Sequence, residues 1–169
     1  EPAPKFHVIS EPNDWLKTVR DSSTSNKLTE TKLAYKDFWD GLKDYAIDEH
    51  KITFTRKAQP QYWFDISIGS SECHICLRYS NQKKYIGAEL LISNNKELYN
   101  KLFNNKRKLE SMIDYEVSWL PLPNKKSASI ACYYKNINIK EIELGNRNKY
   151  YNWLVLRQKE LKDAFDNCI

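Results

Sequence analysis

QYWFDISIGSSECHICLRYSNQKKYIGAELLI, residues 61–92, is the segment that predicts a β-sheet, because apolar and polar side chains alternate along it in three separate runs. A period of two is typical of β-strands whose two faces meet different surroundings. Turn-forming residues separate the three alternating runs, so we expect the strands to pair antiparallel. The pattern predicts strands over 61–69, 73–79 and 85–92.

Helical periodicity lies on both sides of this stretch. Apolar side chains recur at three- and four-residue steps over 30–49, about 96–113 and about 147–167, which predicts three helices. Two further strands are predicted over 115–120 and 128–134. The order helix, three strands, helix, two strands, helix predicts an α+β domain, in which an antiparallel sheet of about five strands packs against long helices.

The chain of 169 residues is long enough for one domain and too short for two full ones. Its 41% of apolar residues excludes wholesale disorder, and its short apolar runs exclude a membrane span. We expect a lead-in over 1–28, with linker composition at 21–27 and a short helix near 11–16, and a single domain over 29–169. The start at Glu1, without Met, predicts a piece of a longer chain.

Charge is distributed unevenly along the chain. The net charge is +5, and residues 1–80 hold 11 Lys and Arg against 12 Asp and Glu, whereas residues 81–169 hold 16 against 10. A basic half favours a polyanionic partner, because Lys and Arg release counterions from a phosphate backbone. The alternative interpretation is a solvated surface of an Asn- and Lys-rich composition.

The four cysteines predict buried, reduced thiols. Cys73 and Cys76 have zinc-knuckle spacing, but a strand places them on opposite faces. Cys132 and Cys168 stand alone, so a second ligand pair is absent from the sequence and no structural zinc, metal site or cofactor is predicted. A chain without a secretory signal is expected in the reducing cytoplasm, away from membranes.

The one enzymatic hypothesis uses Asp65 and Glu89. A metal-dependent nuclease of the PD-(D/E)XK kind needs an Asp followed by an (Asp/Glu)-x-Lys on a neighbouring strand, and its carboxylates hold Mg²⁺. Here Leu91 occupies the Lys position, and Asp65 is expected two strands away from Glu89. The alternative is that both are solvent-side carboxylates, so enzymatic activity stays uncertain and a non-catalytic role is favoured.

The binding hypothesis uses aromatic and cationic side chains together, since such side chains stack bases while contacting phosphates. An alternative is a protein-interaction or homodimer surface, with exposed rings at Trp15, Trp63, Tyr133 and Tyr134. The candidate nucleic-acid contacts are Trp63, Arg78, Lys84, Tyr85, Lys101, Lys106, Arg107, Lys108, Lys125 and Lys126.

A set of residues matches a known family in order and spacing: Phe38-Trp39, Pro60, Trp63, Ile68-Gly69, 86–90, Leu102, Lys106, Trp119, Leu122-Pro123 and Ser129-Ile130. From about Tyr35 to Phe165 the chain resembles the prokaryotic family catalogued as domain of unknown function 4268. The resemblance implies a position after a PD-(D/E)XK nuclease-like segment of the same parent chain, in a restriction, defence or repair setting. It implies an accessory module aiding DNA recognition or positioning, and it assigns no catalytic residue.

Overall fold

The computed structural model describes residues 29–169, which form a five-stranded sheet and five helices. The helices are α1 (Glu30–His50), α2 (Lys96–Asn104), α3 (Lys106–Ser111), α4 (Ile139–Glu143) and α5 (Asn148–Cys168). The strands are β1 (Trp63–Ile66), β2 (Cys73–Ser80), β3 (Tyr85–Ile92), β4 (Ser118–Leu120) and β5 (Ala128–Lys135). The predicted α+β class and five antiparallel strands are confirmed, and the prediction for residues 1–28 falls outside the described residues.

The sheet runs in the order β1-β2-β3-β5-β4, and every neighbouring pair is antiparallel. Residues opposite one another share a face, so the register sorts all side chains into two sets. One set is called the helix face here, because the described helices pack on it; it includes Phe64, Ile75, Leu77, Tyr79, Ile86, Leu90, Ile130 and Cys132. The other is called the polar face and includes Trp63, Asp65, His74, Cys76, Arg78, Tyr85, Gly87, Glu89 and Tyr133.

Aromatic contacts join α1 and α5 to the helix face. From α1, Phe38 stacks on Tyr79 with 4.2 Å between ring centroids. From α5, Trp153 meets Tyr134 edge-on at 5.8 Å. The hydroxyl of Tyr151 donates to the Phe38 carbonyl at 2.9 Å and ties the two helices together. The apolar stripes predicted for both helices are therefore confirmed as core.

The helix predicted over 96–113 is wrong in one respect, because two shorter helices replace it. Asn105 lies between them with φ −99° and ψ 19°, and its side-chain amide donates to the Lys101 carbonyl at 3.2 Å. An Asn side chain competes with the backbone for hydrogen bonds in this way and interrupts helices. The short helix α4 was not predicted, although Asn138 at its start accepts a hydrogen bond from the Glu141 amide.

Two predicted strands are longer than the observed ones. The strand predicted over 61–69 is regular only over β1. A turn in which Gly69 takes φ +81° follows it, and before it the Tyr79 amide still donates to the Tyr62 carbonyl at 2.9 Å. The strand predicted over 115–120 is reduced to β4. Its first residue packs on α5, where the Tyr115 ring meets Trp153 edge-on at 5.1 Å.

The four cysteines lie inside the fold. All four cysteines are free and buried, and the register places Cys73 and Cys76 on opposite faces, as predicted. Tyr134 is not the exposed ring predicted for an interaction surface, since it faces the helices and packs on Tyr150 and Trp153. No helix within residues 29–169 is long and apolar enough to cross a bilayer.

Candidate nucleic-acid interface

The two candidate catalytic carboxylates lie in one cross-strand row of the polar face. Asp65 pairs with Cys76, and Cys76 pairs with Glu89. Neighbouring strands are about 4.8 Å apart, so the backbones of Asp65 and Glu89 are separated by roughly 10 Å. The sequence therefore placed them correctly on a common face, two strands apart.

Glu89 is 6% exposed, which corrects its prediction as a solvent-side group. A buried carboxylate needs partners, and it has two: Arg78 Nη2 lies 3.0 Å from Oε2, and the Tyr133 hydroxyl donates to Oε1 at 2.7 Å. Burial, together with this hydrogen bond, raises the pKa of the Tyr133 hydroxyl. Burial by itself lowers the pKa of the Arg78 guanidinium. The hydrogen bond to Glu89 outweighs this effect, so the pKa is raised.

Asp65 is engaged by a different set of side chains. His74 Nε2 lies 3.3 Å from one carboxylate oxygen, and Arg56 Nη1 lies 3.4 Å from the other. The hydrogen bond from His74 lowers the pKa of Asp65, against partial burial, and the Cys76 thiol and the charge of Arg56 add to this lowering. The carboxylate is thus held in its ionised form.

These contacts define what the row can do chemically. The carboxylate oxygens of Glu89 already contact Arg78 and Tyr133. Those of Asp65 already contact His74 and Arg56. Within residues 29–169, no group of three His, Cys, Asp or Glu side chains is arranged to hold a metal ion. The geometry gives both carboxylates structural ion-pair and hydrogen-bond partners.

A cleft lies at the end of the polar face where β3 begins and β5 ends. Tyr85 pairs with Lys135 across the two strands, and the rings of Tyr85 and Tyr133 meet edge-on at 5.6 Å. The cleft has a volume of about 350 Å³ and is lined by Lys83, Tyr85, Tyr133, Lys135 and Asn136. Burial raises the pKa of Tyr85, so its hydroxyl stays neutral at physiological pH.

The ten candidate contacts include neither Lys83 nor Lys135, and Tyr133 was assigned to a protein-interaction or dimer surface. A signal for Lys135 was present: the predicted strand over 128–134 continues by one residue, and alternation places Lys135 on the same face as Tyr133. No such signal exists for Lys83, because its position depends on the geometry of the turn before Tyr85.

Four of the ten candidate nucleic-acid contacts lie at or beside this end of the sheet. Trp63 and Arg78 are cross-strand partners, and Lys84 directly precedes Tyr85. The Arg78 guanidinium lies 5.8 Å from the ring centroid of Tyr62, a side chain that is 46% exposed. Because Glu89 neutralises the charge of Arg78 locally, Arg78 attracts a phosphate less strongly than an unpaired arginine would.

The other six candidates lie elsewhere. Lys106 is near the β4 edge of the sheet, where its amino group lies 5.9 Å from the Trp119 ring centroid and 3.6 Å from Glu110. On the same helical segment, Lys108 donates to the Asn167 carbonyl. Four of these six candidates lie in helices: Lys101, Lys106, Arg107 and Lys108. The other two, Lys125 and Lys126, lie in the β4–β5 turn, at the sheet end opposite Lys84.

Comparison with known proteins gives one match. The family model described as "Domain of unknown function (DUF4268)" matches residues 34–169. No curated protein and no solved structure matches the chain. The matched residues include the whole sheet, the cleft and all but the first turn of α1. The resemblance found in the sequence is confirmed, and the chain belongs to the DUF4268 family.

Proposed function

We propose that this domain is a non-catalytic module that binds DNA and aids its recognition or positioning for a nuclease-like domain of the same parent chain, in a prokaryotic restriction or defence protein. A cytoplasmic setting is part of this proposal, and the four free, buried thiols fit it. The cleft between β3 and β5 is the proposed contact surface. Self-association through Trp63 and its neighbours remains a separate proposal.

The observation that carries the proposal is the combination of lysines and tyrosine rings around this cleft. Lys83, Lys84 and Lys135 are exposed. Within residues 29–169, no carboxylate oxygen lies within 4.0 Å of any of their amino groups. Their charge is therefore free to attract phosphates, whereas that of Lys106 is partly compensated by Glu110.

Lys84 and Asn136 strengthen the argument through the backbone. Both residues take left-handed conformations, with φ 51° and 58°, and the Ile137 amide donates to the Lys84 carbonyl at 3.1 Å. This bond ties the β2–β3 turn to the segment after β5. The lysines before Tyr85 and after Tyr133 are thereby held on one rim.

The test is a titration of labelled DNA into the full chain at two salt concentrations. We expect binding at low salt that weakens as salt rises, because each phosphate contact releases a counterion. The variant Lys83→Glu with Lys135→Glu should weaken binding strongly. The variant Lys125→Glu with Lys126→Glu changes the net charge equally at the opposite sheet end and should weaken it little.

Two results would contradict the proposal. Absence of binding at low salt would remove DNA as the partner. Equal weakening by the two charge-reversed pairs would mean that net charge, and not the cleft, controls binding.

A further inference from the structure

We infer that the cleft accepts an unpaired base of single-stranded DNA, with the neighbouring phosphates held by Lys83 and Lys135. This inference rests on the proposed function and specifies the form of the DNA. Three features of the cleft carry it: its size, the fixed position of its Tyr133 ring and the placement of its cations.

The size of the cleft suits one base. Its volume of about 350 Å³ is near the lower end of the range of roughly 300–1,000 Å³ that small ligands occupy. A base inside a duplex is covered on both faces by its neighbours, and its ring faces cannot reach a protein side chain. Only an unstacked base can enter a pocket of this kind and stack on aromatic rings.

The Tyr133 ring of the cleft is held in place before any ligand arrives. The Tyr133 hydroxyl is fixed by Glu89 at 2.7 Å, and Arg78 fixes Glu89 in turn at 3.0 Å. Gly87 leaves room for the Tyr133 ring, because a Cβ atom at this position would lie 2.8 Å from the ring carbon Cδ1. A ring positioned in advance loses little conformational freedom on binding, which favours stacking.

Tyr85 is the second ring that lines the cleft. It meets Tyr133 at an interplanar angle of 87°, so the edge of one ring lies against the face of the other. No hydrogen bond holds the Tyr85 hydroxyl within the described part of the chain. The fold therefore does not depend on a hydrogen bond of the Tyr85 hydroxyl, and the aromatic ring is what this side chain offers a ligand.

The cations suit a single strand better than a duplex. Lys83 and Lys135 are both part of the cleft lining, within reach of a base that lies between them. Of the predicted lysines, Lys84 lies beside the cleft, whereas Lys106 lies at the β4 edge and the lysines of the β4–β5 turn lie at the opposite sheet end. A strand that turns one base into the cleft brings its adjacent phosphates to the rim, where the two amino groups are.

The experiment compares a labelled 12-residue oligodeoxythymidylate with a 12-base-pair duplex, using the full chain and fluorescence anisotropy. We expect the single strand to bind more tightly. Tyr85→Leu should weaken single-strand binding by about tenfold while changing duplex binding little, since stacking on an aromatic ring contributes about this factor per base. Tyr85→Phe keeps the ring and should bind as the unmodified chain does.

Phe103→Leu is the matched control, because Phe103 is also an exposed ring beside a lysine, 46% exposed and 5.6 Å from the Lys106 amino group. It should leave both affinities unchanged. Duplex binding as tight as single-strand binding, or no effect of Tyr85→Leu, would overturn the inference and leave the proposed DNA-binding function standing. Absence of binding to either probe would overturn both. Full competition by thymidine monophosphate at matched concentration would assign the cleft to free nucleotides and overturn the inference.

Discussion

The hydroxyl of Tyr133 donates a hydrogen bond of 2.7 Å to Glu89 on the neighbouring strand, and this contact connects the buried ion pair of the sheet to the cleft. Arg78 completes the group on the other oxygen of the same carboxylate. Tyr133 therefore belongs to both features. A substitution that breaks the Arg78–Glu89 ion pair should therefore shift the Tyr133 ring and change the shape of the cleft.

The first prediction concerns the stability that Glu89 supplies. Glu89→Ala should lower the free energy of unfolding by about 3–5 kcal/mol, because it leaves the half-buried guanidinium of Arg78 without its partner. Tyr133→Phe removes one hydrogen bond to a charged group and should cost less, about 1.5–3 kcal/mol. Urea unfolding followed by circular dichroism measures both. A cost below about 1 kcal/mol for Glu89→Ala would show that the ion pair contributes little.

The second prediction concerns pH. The pKa of Asp65 is lowered in the fold, chiefly by the hydrogen bond from His74, so its ionised form stabilises the native state above the unfolded value of about 3.9. Asp65→Asn should therefore cost about 1 kcal/mol at neutral pH, and this cost should disappear as the pH falls through the lowered pKa of Asp65.

Urea titrations between pH 7 and pH 3 measure this difference for Asp65→Asn. Asp166→Asn is the control, since it removes an exposed i,i+4 pair with Lys162 and should cost only about 0.3–0.5 kcal/mol at neutral pH. A cost for Asp65→Asn that is still undiminished at pH 3 would contradict the lowered pKa of Asp65 and the role assigned to His74.

The third prediction concerns the space beside Tyr133. Gly87→Ala places a methyl group 2.8 Å from the Tyr133 ring and 3.4 Å from the Cys132 carbonyl oxygen. The ring must shift, which should cost about 1–3 kcal/mol. In a Tyr133→Ala background the same change should be nearly neutral, because the ring is absent. Equal costs in both backgrounds of this double-mutant cycle would show that the ring and Gly87 do not interact.

Alternation and helical periodicity predicted the sheet and its main helices because burial selects one face of each element. Phe38 and Trp153 were identified as core in this way, and both are buried. Individual side-chain contacts caused the errors: the Asn105 side chain interrupts a helix, and Tyr115 at the start of a predicted strand packs on Trp153 of α5. Such contacts depend on which side chains meet, and periodicity does not encode that.

The candidate site was predicted only in part, for a related reason. Alternation along the three predicted strands is enough to place Trp63, Arg78 and Tyr85 on one face of the sheet, and the register agrees. The strand order brings β5 beside β3, so Tyr133 and Lys135 reach Tyr85 from a distant part of the sequence. Neighbours that arise from strand order cannot be read from spacing along the chain.

The fourth prediction concerns the cysteines, whose thiols should be unreactive in the folded chain. Burial raises the pKa of the Cys132 thiol to about 12 and also raises that of Cys76, so the reactive thiolate is scarce at pH 8. A thiol reagent such as Ellman's reagent should modify the native chain slowly and all four cysteines of the chain rapidly in 6 M guanidinium. Rapid reaction of any thiol in the native chain would contradict this burial.

Modification of a buried thiol requires opening of the fold. The modification rate should therefore rise in Glu89→Ala, because the sheet around Cys76 is weakened. It should remain unchanged in Lys125→Glu, which alters only an exposed turn.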